Sequence, residues 1–282
     1  LKNYAKVNEY GKLAIAAEPG NNDLRIMVGQ ALYLTPDYPG TVAFIEPWVA
    51  EMAQRNETPP EIALGLWTSA CVRSKDNACT FRAVDKQVVY APSDEAWTNL
   101  YLLLIRSAPA DQALNVLRLG HEVGALKAGD DVTEYASLAL EKGFPGEAQS
   151  VMEAAIAAGK FGEPGKATPG ANSLLQSAKA AAAPDRATLA KQAKDAAAAK
   201  TGTPEVRLGQ AYLSYGQPAE AAASIDRGLA RGGVKDLADA NLSLGIARLK
   251  AGDKAGAATA FDAVTGNPFV ERLAGYWKLR TR

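Results

Sequence analysis

A single histidine, two cysteines and no excess of either charge limit what this chain of 282 residues can do. A catalytic triad or a histidine-based zinc site needs His121 to have partners, and Gly120-His121-Glu122 shows no metal-ligand spacing. His121 therefore reads as a surface or helix-end residue. Lys plus Arg and Asp plus Glu both number 31. That balance argues against a protein whose main task is gripping phosphate backbones or anionic membranes, so no nucleic-acid partner is expected. The longest aliphatic run, Leu100 to Ile105, is far short of the roughly 20 residues a membrane helix needs. No transmembrane segment is expected. The glycines between 159 and 170 lack the Lys-Ser/Thr ending and preceding strand of a phosphate loop, and no cofactor is expected. No stretch alternates as a strand should. Cys79 to Tyr90 comes closest, through Val88-Val89-Tyr90, but its surroundings keep a helical register. No leader peptide is visible and the first residue is not Met.

What is present is helix. The apolar content is mostly alanine, which favours helix and lets helices approach closely. Residues 2–17 carry Tyr4, Val7, Tyr10, Ala14 and Ala17 at helical spacing, and Glu18-Pro19-Gly20-Asn21-Asn22 ends them. Leu1 to Val7 reads as the opening of a second helix whose first is missing. The expectation is that upstream sequence was removed or belongs to a longer parent. Helices follow at 23–35 and 39–54, the second with Pro47 inside it as a kink or a true start. Further pairs fall at 60–74 and 77–89, 94–107 and 109–127, and 131–142 and 145–158. In the last pair Gly143 suits a left-handed cap and Pro145 a first helical turn. Residues 159–171, rich in Gly and Pro, read as a linker or a long ordered loop. Two alanine-rich helices at 172–182 and 186–199 are expected to turn at Pro184-Asp185. Two clear units at 203–232 and 235–266 precede a final helix at 269–281. The expected division is an N-terminal array over 1–158, the segment 159–171, and a C-terminal array over 172–282.

The two clear units repeat one pattern. Leu208-Gly209, Tyr212, Gly216, Ala221 and Ile225 correspond to Leu244-Gly245, Arg248, Gly252, Ala257 and Phe261, with Pro268 after them. Val28, Gly29 and Leu32 behind Pro19 give a further match, and Ala136, Gly143, Ala148 and Met152 a fair one. The pattern resembles the tetratricopeptide repeat family. That resemblance implies an all-α, right-handed superhelical solenoid of antiparallel helix pairs with a terminal capping helix. It further implies a concave groove lined by the first helix of each pair: Ile26, Gln30 and Tyr33; Val206, Gln210 and Leu213; Leu242, Ile246 and Leu249. Family members that grip a C-terminal carboxylate line this groove with Lys and Asn, which are missing at these positions. Gly209 and Ala221 are small because two helices touch there, and Tyr212 and Ile225 fill the space toward the next pair.

Cys71 and Cys79 flank the Arg73 to Asn77 turn between two helices, so their side chains can meet. A disulfide there implies an oxidising compartment such as a periplasm. The alternative, two free thiols in the core, leaves a cytoplasmic location open. Trp48, Trp67, Trp97 and Trp277 read as packing residues, and acidic pairs such as Asp130-Asp131 as solvated surface. The expected function is non-catalytic: an adaptor or assembly factor of the bacterial cell envelope that holds a peptide or protein segment in the groove. The alternative is a helical spacer arm of a larger envelope enzyme. Oligomeric state is not written in one sequence.

Overall fold

A computed structural model describes residues 3–282, so the reading of Leu1 and Lys2 lies outside the described residues. These residues form fifteen α-helices and no strand. None of the helices is long and apolar enough to cross a membrane. The chain divides into two compact units at Arg106/Ser107, and not across residues 159–171.

The first unit holds α1 (Tyr4–Ala17), α2 (Asn22–Leu34), α3 (Tyr38–Gln54), α4 (Glu61–Arg73), α5 (Asn77–Tyr90) and α6 (Asp94–Ser107). Short polar residues start most of them. Asn21, Asp37 and Asp76 each accept a hydrogen bond from the backbone N–H three residues on, which satisfies one of the unpaired donors of a first turn. Pro47 lies inside α3 and neither breaks nor starts it. α2 packs across α3 and α4 because Gly29 lets the Ile45 side chain approach: a methyl group at Gly29 would lie 3.2 Å from Ile45 Cδ1. Ile45, Trp48, Leu64 and Trp67 build the core of this unit, together with Cys71 and Cys79. Those two cysteines are disulfide-bonded, with their Cα atoms 5.4 Å apart. Trp48, Trp67, Trp97 and Trp277 are all buried, as packing residues are.

The second unit holds α7 (Ala113–Glu122), α8 (Gly129–Glu141), α9 (Pro145–Ala157), α10 (Pro169–Ala198), α11 (Thr203–Ser214), α12 (Pro218–Arg231), α13 (Leu237–Lys250), α14 (Lys254–Asp262) and α15 (Pro268–Leu279). The turns α8–α9, α11–α12 and α13–α14 are the same device. Each carries a glycine with φ between 68° and 87°, at Gly143, Gly216 and Gly252. A methyl group at Gly209 would sit 2.8 Å from the Ala221 carbonyl oxygen, and one at Gly245 would sit 2.8 Å from Phe261 Cζ. The repeated small residues are therefore the contact points of the hairpins. α15 packs on α13 and α14 and covers the last pair.

One expectation is corrected here. Residues 169–198 form one helix of 30 residues, with no turn at Pro184-Asp185. Proline removes one intrahelical bond, but the Tyr215 hydroxyl braces this step. It lies 2.7 Å from Asp185 Oδ2 and 3.2 Å from the Ala182 carbonyl. Of the two readings of the segment before α10, the ordered loop is the one observed. Gly165 N donates to Ile156 O at 2.8 Å, Lys160 Nζ donates to Leu126 O, and Phe161 packs where a side chain at Gly129 would stand.

Candidate functional site

Three first helices, α2, α4 and α6, belong to the first unit. Tyr33 of α2, Glu61, Ile62, Gly65, Leu66 and Ser69 of α4 and Gln87 of α5 line an open trough of about 660 Å³. Ile62 is 44% exposed there, although it is a large aliphatic residue. Thr68 Oγ1 donates to Gln87 Oε1 at 3.2 Å and steadies the polar side. Of the residues the repeat register assigns to this face, Tyr33 lines the trough and Gln30 is half-buried one turn away. Ile26 leans on the core beneath. Ile62 and Leu66 were missed by the sequence reading. Their signal is the i, i+4 spacing on α4, four residues apart on one face.

The second unit treats its inner wall differently. Its first element, α7, buries Leu114, Val116, Leu117 and Leu119 and reaches elements from both ends of the unit. It packs on α8 and α15. Asn115 Nδ2 donates to Asp239 Oδ1 of α13 at 3.0 Å, and Lys250 of α13 lies 3.5 Å from Glu122. Three of the six residues expected to form a groove here, Val206, Gln210 and Leu242, are engaged within the unit. Val206 and Leu242 are wholly interior, Val206 in a core with Ile225 and Leu244, which corrects their reading as groove wall. Gln210 donates to Ser243 Oγ at 3.1 Å. Leu213 and Ile246 face a cavity, and Leu249 is half-buried.

Behind that cavity lies a buried polar cluster. The Arg118 guanidinium meets the Glu147 carboxylate in a two-pronged pair, Nε to Oε1 at 2.8 Å and Nη2 to Oε2 at 2.7 Å. Their side chains are only 12% and 13% exposed. Arg118 Nη1 also donates to Asn115 Oδ1 at 3.1 Å, and its planar group lies 4.8 Å over the Phe144 ring. The Tyr135 hydroxyl donates to Glu147 Oε1 at 2.5 Å. Ser214 Oγ accepts from Glu147 N at 2.9 Å. Burial alone raises the Glu147 pKa, but the charge and hydrogen bonds of Arg118, with the Tyr135 hydroxyl, carry it below its ordinary value. Burial, then the Glu147 charge, hold Tyr135 well above its ordinary value, so it stays a phenol donor.

His121 ends α7 at the surface, as expected of it. Its ring lies 5.6 Å from that of Tyr135, centroid to centroid. Partial desolvation, then the ammonium groups of Lys250 and Lys160, lower its pKa, while Glu122 and Glu147 pull the other way. Arg118, His121, Tyr135, Glu147 and Lys250 thus surround one cavity of about 170 Å³. Among the described residues no group of three or more His, Cys, Asp or Glu side chains is placed to hold a metal ion.

No protein-family model matches the chain, and no curated protein matches it. Solved structures do. The chain is similar to a tetratricopeptide repeat protein of Parabacteroides merdae, at 15% identity and TM-score 0.34, over 98% of this chain and 92% of that one. It is similar to a chain of the APC/C Cut9–Hcn1 hetero-tetramer at 11% identity and TM-score 0.29, covering 97% of this chain and 52% of that one. A thermophilic tetratricopeptide repeat protein of Thermus thermophilus is similar at 14% identity and TM-score 0.25, over 86% and 89% of the two chains.

Proposed function

We propose that the protein is an interaction module, an adaptor or assembly factor without chemistry of its own, that holds a peptide or protein segment in the trough of its first unit. The observation that carries this reading is the open face where Tyr33, Ile62 and Leu66 stand together with Ile62 exposed. A preformed apolar surface bounded by Glu61, Ser69 and Gln87 suits an extended or helical segment that places one or two large apolar side chains on it. Such a surface lowers the ordering cost of binding, because its own helices are already fixed. The second unit, with its inner wall engaged by α7, acts in this reading as a rigid body and not as a second groove. The Cys71–Cys79 disulfide supports placement in an oxidising compartment, which we read as the cell envelope.

Selection from a displayed peptide library against the whole protein tests the trough. Tyr33→Glu and Ile62→Glu are expected to abolish binding of the selected peptides. Leu237→Glu, at an exposed site in the second unit, is expected to leave binding intact. Peptides that survive both trough substitutions would remove the assignment.

A further inference from the structure

Four glycines hold the same place in four helix pairs. Gly29 and Gly65 are 36 residues apart, and so are Gly209 and Gly245. Each lies inside the first helix of its pair. Sixteen positions on, in the second helix, each is followed by a large apolar residue: Ile45, Phe81, Ile225 and Phe261. In three of the four pairs that residue takes up the room a side chain would need. A methyl group at Gly29 would meet Ile45, one at Gly209 would meet Ile225, and one at Gly245 would meet Phe261. Glycine is required there because the facing helix uses the space.

Gly65 departs from this rule. No neighbouring helix comes within 4 Å of a methyl group placed there, so Phe81 stays out of the slot. Glycine is a poorer helix residue than alanine, and the protein's own packing does not call for it at this point. Gly275 of α15 is open in the same way, but it stands on the exposed surface. Gly65 is half-buried and lines the trough beside Ile62 and Leu66. Bare helix backbone in a groove is a point of close approach for a bound molecule. One charged residue lines the trough, Glu61, a helical turn from Gly65 and so about 6 Å along the axis. Glu61 is exposed and has no ion-pair partner among the described residues.

We propose that Gly65 is an anchor slot: the segment held in the trough seats an isoleucine or phenylalanine side chain on it and carries a Lys or Arg about one turn away for Glu61. The chain itself shows three times what such a slot takes, an Ile or Phe delivered by a helix lying across it. The segment is accordingly an amphipathic helix. This rests on the trough reading and adds the residue that decides which segments fit.

Gly65→Ala tests the slot with two opposite signs. In the free protein the added methyl improves the helix and meets nothing, so Tm is expected to rise by about 2–4 °C. The same methyl occupies the anchor's seat, so the Kd of peptides selected on the whole protein is expected to rise by about tenfold or more. Gly275→Ala is expected to raise Tm similarly and to leave Kd unchanged. Peptides selected on the parent are expected to pair Ile or Phe with a Lys or Arg three or four positions away, and those selected on Glu61→Lys to carry Asp or Glu there instead. A fall in Tm for Gly65→Ala means that the slot is already filled, and overturns the proposal. An unchanged Kd in Gly65→Ala, with binding still lost in Tyr33→Glu, removes the anchor and leaves the trough standing. Selected peptides without a large apolar residue, or with the same charge preference on Glu61→Lys, remove it as well. If neither Tyr33→Glu nor Gly65→Ala alters binding, the trough reading itself fails and the anchor with it.

Discussion

Replacing Arg118 by Met probes the polar cluster most directly. The substitution keeps an apolar stem but deletes the cation, and with it the stacking on Phe144. Glu147 would then stay 13% exposed with the Tyr135 hydroxyl as its remaining side-chain hydrogen bond and Lys250 as a more distant cation. Breaking a buried pair from one side costs about 3–5 kcal/mol, because the orphaned charge has lost its water and its partner. In a unit of this size each kcal/mol lowers Tm by about 2–4 °C, so a fall of about 6–20 °C is expected. Urea denaturation followed by circular dichroism measures the same loss as a shift in midpoint. Adding Glu147→Gln to Arg118→Met should recover part of it, because the double change removes both charges. The pH dependence carries a matching sign. Glu147 titrates below its unfolded value in the folded chain, so its contribution is present above that unfolded value, about 4.3. It is lost as pH falls through the folded pKa. Asp239 runs the other way, since burial and then Asp236 raise it, and its share weakens as pH rises past its unfolded pKa. In Arg118→Met the stability gained on raising pH from strongly acidic to mildly acidic values should shrink. A loss of under about 1 kcal/mol in Arg118→Met, or a double variant no better than the sum of its parts, would refute the reasoning.

Other substitutions follow from the packing. Gly209→Leu must displace the Ala221 backbone or Ile225, and an overpacking cost of about 1–3 kcal/mol should appear in the urea midpoint. Lys75 holds φ at 55° in the α4–α5 turn, where the repeats of the second unit use glycine. Lys75→Gly relieves a left-handed conformation and should stabilise the first unit by about 0.5–1 kcal/mol on the same measurement. Protein kept free of reductant should show no reactive thiol, and Cys71→Ala with Cys79→Ala should cost about 2–3 kcal/mol, read by calorimetry against the parent.

What could be read from the sequence was what is local. Gly143 as a left-handed cap and the pairing of Gly209 with Ala221 depend on residues within one hairpin, and so did Cys71 with Cys79. Pro184-Asp185 misled because its bracing group, Tyr215, comes from a different helix. The polar cluster was hidden for the same reason. Arg118, Tyr135 and Glu147 lie on three helices, and none looks unusual alone. The available signal was Asn115 and Arg118, two polar residues three apart on an otherwise buried α7. Val206 and Leu242 were misassigned because the register of a hairpin says nothing of what packs on it from elsewhere in the chain.

The bond from Asn115 to Asp239 spans 124 positions of the chain. An array whose members touch only their neighbours can mature piece by piece as it leaves the ribosome. The first unit, made of adjacent hairpins, meets that description. The second does not: α7 finds its hydrogen-bond partner on α13 and part of its packing on α15, both far along the chain from it. α8, the next helix, covers part of α7 first, and α15 completes its packing.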